Sequence, residues 1–104
     1  MLKRGINMKI MISQPMRGKK EEQIRKERED VIRQLVDEGH VVEETIFAEE
    51  APKDCDTALY YLSKSIEAMG KVDAVVFIPG WEQARGCRIE YQVAAAYGRF
   101  IKII

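Results

Sequence analysis

Residues 73–78 read Asp73-Ala74-Val75-Val76-Phe77-Ile78 and are followed at once by Pro79-Gly80. Five consecutive apolar residues with β-branched and aromatic members have the signature of a strand, and the Pro-Gly pair breaks it. Downstream, a loop to about Arg85 leads into a helical stretch, Gly86–Gly98. Its Ala94-Ala95-Ala96 run is small enough to lie close on a sheet. Phe100–Ile104 (FIKII) then reads as a last strand. Upstream, Asp56 or Thr57 can cap a helix from about Ala58 to Met69, with Leu59, Leu62, Ile66 and Met69 as its buried stripe. Gly70 ends it.

Further out, His40–Glu43 (HVVE) reads as a strand and 45–56 as an irregular polar stretch. Lys19–Glu38 reads as a charged helix with Ile24, Val31 and Leu35 inward. Glu21–Arg25, Glu22–Lys26 and Glu29–Arg33 sit four apart with the acid first, the favourable order for helix pairs, so the charged run reads as a solvated face. Gly39 stops this helix. Lys9–Ser13 (KIMIS) is a short buried strand, and Pro15 and Gly18 mark the turn after it. The order β-α-β-α-β-α-β argues for an α/β fold of parallel units joined by right-handed crossovers. A flavodoxin-like order, 2-1-3-4, places a switch point between the first and third strands. Ligands of open α/β sheets bind beyond the carboxyl ends of strands at such a point. Ser13–Gly18 and Pro79–Arg88 should then share one crevice.

The 104 residues suit a single domain, with residues 1–8 read as a loose extension ahead of a start at Met8. Lysines plus arginines and acids balance at 17 each, which gives no footprint for a nucleic-acid polymer or a membrane surface. No apolar run nears the roughly 18 residues of a membrane span. Nor is there an apolar stretch of signal-peptide type at the N-terminus. Cys55, Cys87 and His40 have no metal-ligand spacing, so the expectation is reduced thiols, a cytoplasmic location, no metal and no cofactor.

The chemistry concentrates in Ala84-Arg85-Gly86-Cys87-Arg88-Ile89-Glu90. Gly86 permits close backbone approach to a ligand, and the amides after it open a helix that can hold an anion. Glu90 at the crevice mouth can act as a nucleophile or base, or simply complement the helix dipole. Asp73 can be a second acid or a strand-start residue. Arg17, Arg85 and Arg88 can grip a phosphate together, or be solvated singly. Trp81 can stack on a base or cover the core edge. Ser13 and Gln14 can bond a sugar or base, or cap backbone. An arginine six residues after Cys87 would mark a phosphatase-type loop, but Val93 stands there. Neither a dinucleotide fingerprint nor a P-loop is present.

Taken together, Ile10-Met11-Ile12-Ser13-Gln14-Pro15, the 73–78 strand, and Gly86-Cys87-Arg88-Ile89-Glu90 followed by Val93-Ala94-Ala95-Ala96-Tyr97-Gly98 resemble the nucleoside 2-deoxyribosyltransferase superfamily. The nearest likeness is a bacterial and phage branch with Gln-Pro-Met-Arg-Gly and Arg-Gly-x-x-x-Glu signatures. The resemblance runs from about Lys9 to Ile104. It implies a flavodoxin-like three-layer sandwich and cleavage of N-glycosidic bonds in deoxynucleosides or their 5′-monophosphates. Glu90 would attack the anomeric carbon, as in retaining glycosidases, and Asp73 would manage the proton of the departing base. Ser13, Gln14, Pro15, Met16, Arg17 and Gly18 would hold the nucleoside, with Gly80, Trp81, Arg85, Gly86 and Arg88 completing the pocket. Members often complete it from a neighbouring subunit, which implies a homodimer or higher homo-oligomer. Met11 stands where these transferases carry a tyrosine, and Ala84 where they often carry a sugar-contacting acid or hydroxyl. The competing reading is a module that binds a nucleotide in the same crevice without turnover.

Overall fold

A computed structural model of the chain describes residues 7–46 and 50–104. Four strands, β1 (Lys9–Ser13), β2 (Val41–Val42), β3 (Ala74–Phe77) and β4 (Phe100–Ile103), alternate with three helices, α1 (Glu21–Asp37), α2 (Thr57–Met69) and α3 (Arg85–Ala96). The strands form one all-parallel sheet in the order β2-β1-β3-β4, the flavodoxin-like order read from the sequence. β1 moves outward to β2 while the later crossovers run the other way. Right-handed connections therefore place α1 on one face and α2 with α3 on the other.

Alternate residues of the central strands feed two separate cores. Ile10, Ile12, Ala74, Val76 and Ile78 pack with Leu35 under α1. Met11, Val75 and Phe77 pack with Ala68, Met69, Val72 and Ala94 under α2 and α3. β1 and β3 are thus buried on both faces, as their unbroken apolar runs require. The loose extension assigned to residues 1–8 falls partly outside the described residues. Met8, however, packs against the α1-side core, and its N–H donates to His40 Nδ1 at 3.1 Å.

The α2 stripe differs from the periodic reading. Leu59 is 64% exposed and Ile66 sits at the surface, while Ala68 and Met69 carry the packing. The cause is placement: this helix borders the crevice at the end of the sheet, so the half-buried Leu62 of the expected stripe faces it beside Tyr61 and Ser65. Asp56 caps this helix as expected, its Oδ1 accepting from Leu59 N–H at 2.9 Å. Of the alanine run only Ala94 is buried against the sheet; Ala95 and Ala96 face out. Gly39 adopts φ of 94° just past α1, a conformation that glycine reaches without a side-chain clash.

Because Phe77 is wholly buried among three elements, Phe77→Ala should lower the unfolding free energy by about 3–5 kcal/mol in urea denaturation. Leu59→Ala, at an exposed position, should stay within about 0.5 kcal/mol of the parent.

Candidate functional site

Pro15 and Gly80 bring the two loops together at the carboxyl end of the sheet. A Cβ built on Gly80, whose φ is 96°, would lie 3.5 Å from Pro15 Cγ. The loops border a crevice of about 810 Å³, a size usual for small-molecule sites. Gln14, Pro15, Met16 and Arg17 line it from the first loop. Gly80, Arg85, Gly86, Arg88 and Glu90 line it from the second loop and α3. Gly18 belongs to the first loop but does not reach the lining.

Glu90 is the sixth residue of α3, past the turn where a helix dipole acts, and only 8% exposed. Its Oε1 accepts a 2.5 Å hydrogen bond from Ser13 Oγ at the end of β1. Ser65, from α2, faces the same crevice and its hydroxyl favours the ionised carboxyl. Burial pushes the Glu90 carboxyl above the usual glutamate range, and the two serine hydroxyls only partly offset it. A carboxylate buried at the cost of its hydration, at the floor of a crevice, is a recognised mark of a working site.

Cys87 lies one turn before Glu90 and is buried beside it. Burial raises its thiol pKa, the neighbouring Glu90 charge adds to the rise, and the nearby Ser13 hydroxyl and the Lys19 charge oppose it. It is not an activated thiolate.

Asp73 lies elsewhere. Its backbone N–H donates to Lys9 O at 2.7 Å, and its Oδ2 accepts from Lys9 N–H at 2.9 Å. Phe100 N–H in turn donates to Asp73 O at 3.0 Å. Asp73 therefore ties the amino ends of β1, β3 and β4. The four residue steps from Lys9 to Ser13 put it roughly 13 Å from the crevice end of the sheet. The structure does not bring Asp73 and Glu90 to one pocket, and the strand-start reading describes Asp73.

Two further residues turn from ligand to scaffold. Gln14 Nε2 donates to Ile24 O at 2.8 Å, and its Oε1 accepts from Arg28 Nη1 at 3.4 Å, so its amide is tied to α1. Trp81, in a short 3-10 turn over Trp81–Gln83, stacks on Tyr91 with centroids 4.7 Å apart and 13° between planes. It packs against the Phe77 core and does not line the crevice.

Several residues escape the sequence reading. Arg28 sits in the charge run assigned to a solvated face, yet is 4% exposed. Its Nη2 donates to Thr45 Oγ1 at 2.8 Å and to Glu44 Oε1 at 3.2 Å, while Thr45 Oγ1 donates to Ile12 O at 3.2 Å. This chain fastens the segment after β2 to the end of β1. Lys19 also lines the crevice and pairs with Glu27 at 3.0 Å. Tyr61 and Ser65, four apart on α2, form the opposite wall. Their i, i+4 spacing is the one local signal that places them together.

Glu90→Gln should alter stability in a pH-dependent way. A carboxyl whose pKa is raised on folding favours the native state below its unfolded pKa and costs stability as pH rises through the folded value. The variant should therefore melt higher than the parent at pH 8, with the gap closing by about pH 4, below the unfolded range. Scanning calorimetry across that range checks it.

Among the described residues no helix is long and apolar enough to cross a membrane, and no three His, Cys, Asp or Glu side chains are grouped to hold a metal. No curated protein and no solved structure gives a significant match to the chain. The family model described as a domain of unknown function, DUF4406, matches residues 8–103, so this crevice and its buried glutamate belong to a member of that family.

Proposed function

We propose that the protein cleaves the N-glycosidic bond of a nucleoside or nucleoside 5′-monophosphate, with Glu90 as nucleophile. The observation that carries this reading is a carboxylate, desolvated and oriented by Ser13, at the floor of a crevice large enough for a nucleotide. The sequence likeness to nucleoside 2-deoxyribosyltransferases supports it. Glu90 attacks the anomeric carbon, the base departs, and water or an acceptor base then releases the sugar from the ester. The Ser13 bond fixes the attacking carboxyl, and the partial desolvation strengthens its pull on an oxocarbenium-like transition state.

Arg17, Lys19, Arg85 and Arg88 surround the same space and favour a phosphorylated ligand over a free nucleoside. Under this reading the enzyme works in the cytoplasm as a homodimer or higher homo-oligomer. A second reading, a nucleotide sensor without turnover, draws on the removal of Asp73 from the crevice. It keeps the cations and needs no acid pair.

Incubation with ribo- and deoxynucleosides and their 5′-monophosphates, read by chromatography for free base, separates the two. The enzyme reading expects base release that falls by about a hundredfold or more in Glu90→Gln. Thermal shifts with no release from any member of the panel would favour the sensor and sink the enzyme.

A further inference from the structure

We propose that the preferred substrate is an N-glycoside of a quaternary, pyridinium-type nitrogen on a 5′-phosphorylated sugar. This rests on Glu90 as nucleophile and adds the class of leaving group. The lining sets one carboxylate, Glu90, against the cations Arg17, Arg85 and Arg88, with Lys19 already paired to Glu27, and holds no second carboxylate among the described residues.

That balance restricts which bases can leave. A neutral purine or pyrimidine departs as an anion unless a proton reaches it during bond cleavage, a service usually given by a positioned acid and worth about 10²–10⁴ in rate. The acid suggested by the sequence, Asp73, is bonded to Lys9 at the far end of the sheet. The remaining protic groups are poor substitutes. The Thr45 hydroxyl already donates to Ile12 O, and burial pushes the Cys87 thiol up. The other donors of the lining, the Ser65 and Tyr61 hydroxyls and the Lys19 ammonium held by Glu27, include no carboxylic acid.

A pyridinium nitrogen needs no such proton. A Glu90 carboxylate oxygen forms a bond to C1′ while the C1′–N bond breaks, and its electron pair passes to the ring nitrogen. The ring leaves neutral, its positive charge taken through the sugar and quenched by the glutamate ester. Water then adds to C1′, the C1′–O bond to Glu90 breaks and restores the carboxylate, and the second water proton passes to solvent. One proton is released per turnover. The cations assist by balancing the phosphate.

The full-length protein would be given nicotinamide mononucleotide, nicotinamide riboside and 2′-deoxyadenosine and 2′-deoxycytidine 5′-monophosphates as probes. Base release would be followed by chromatography and proton release by a pH indicator. Expected is a kcat/KM for the mononucleotide at least about a hundredfold above that for either deoxynucleotide, one proton per base, and loss of release in Glu90→Gln. Glu90-dependent cleavage of the deoxynucleotides at a comparable rate would overturn the pyridinium assignment and leave the N-glycosidase reading standing. Equal cleavage of the riboside and its phosphate would overturn the phosphate half. Release from no compound would overturn both this inference and the reading beneath it.

Discussion

The hydrogen bond from Ser13 to Glu90 joins the last residue of β1 to the second turn of α3, and the crevice is organised around it. A carboxylate this deeply placed loses hydration that neutral hydroxyls cannot fully replace. That shortfall raises the proton affinity of Glu90. The sheet tolerates it because β1 and β3 are packed on both faces and hold Ser13 at a fixed height. The buried carboxyl costs stability at this one residue, which is the usual relation at sites that act on a ligand.

Parallel topology gives the sheet two unlike ends. At the amino end, Asp73 closes β1, β3 and β4 into register through Lys9 and Phe100. At the carboxyl end, the strands release their chains into loops that carry Ser13, Arg17, Arg85 and Glu90. Both acids flank the same apolar strand in the sequence, one before it and one after its loop. The strand separates them by its own length, so closeness along the motif becomes distance in space. The same rule brings Tyr61 and Ser65 into the site from α2, because that helix begins over the carboxyl end before running back along the sheet.

Much of this was legible in the residues. The unbroken apolar run 74–78 marks a central strand, the alternation of elements marks a parallel sheet, and the switch-point argument places the two loops side by side. Position after the Arg85-Gly86 turn leaves Glu90 open between a working carboxylate and a dipole-complementing acid, and the family likeness is what singles it out. The errors have a common cause. Leu59 and Ile66 match the helical period but face solvent, because period tells which residues share a side and not what covers it. Arg28 hides in a run of charges, since nothing local distinguishes a guanidinium that will be buried against Thr45 and Gln14. Trp81 could serve a ligand or the core edge, and only the tertiary stack on Tyr91 decides it.

The central claim is that Glu90 is a desolvated carboxylate poised in the crevice, and it can be measured before any substrate is known. Carbon-13 labelling of glutamate side chains and titration by NMR, with Glu90→Gln to assign the missing resonance, reads its midpoint directly. The account predicts a titration above the ordinary glutamate range. A midpoint within that range or below would show a solvated or ion-paired group and contradict the site described.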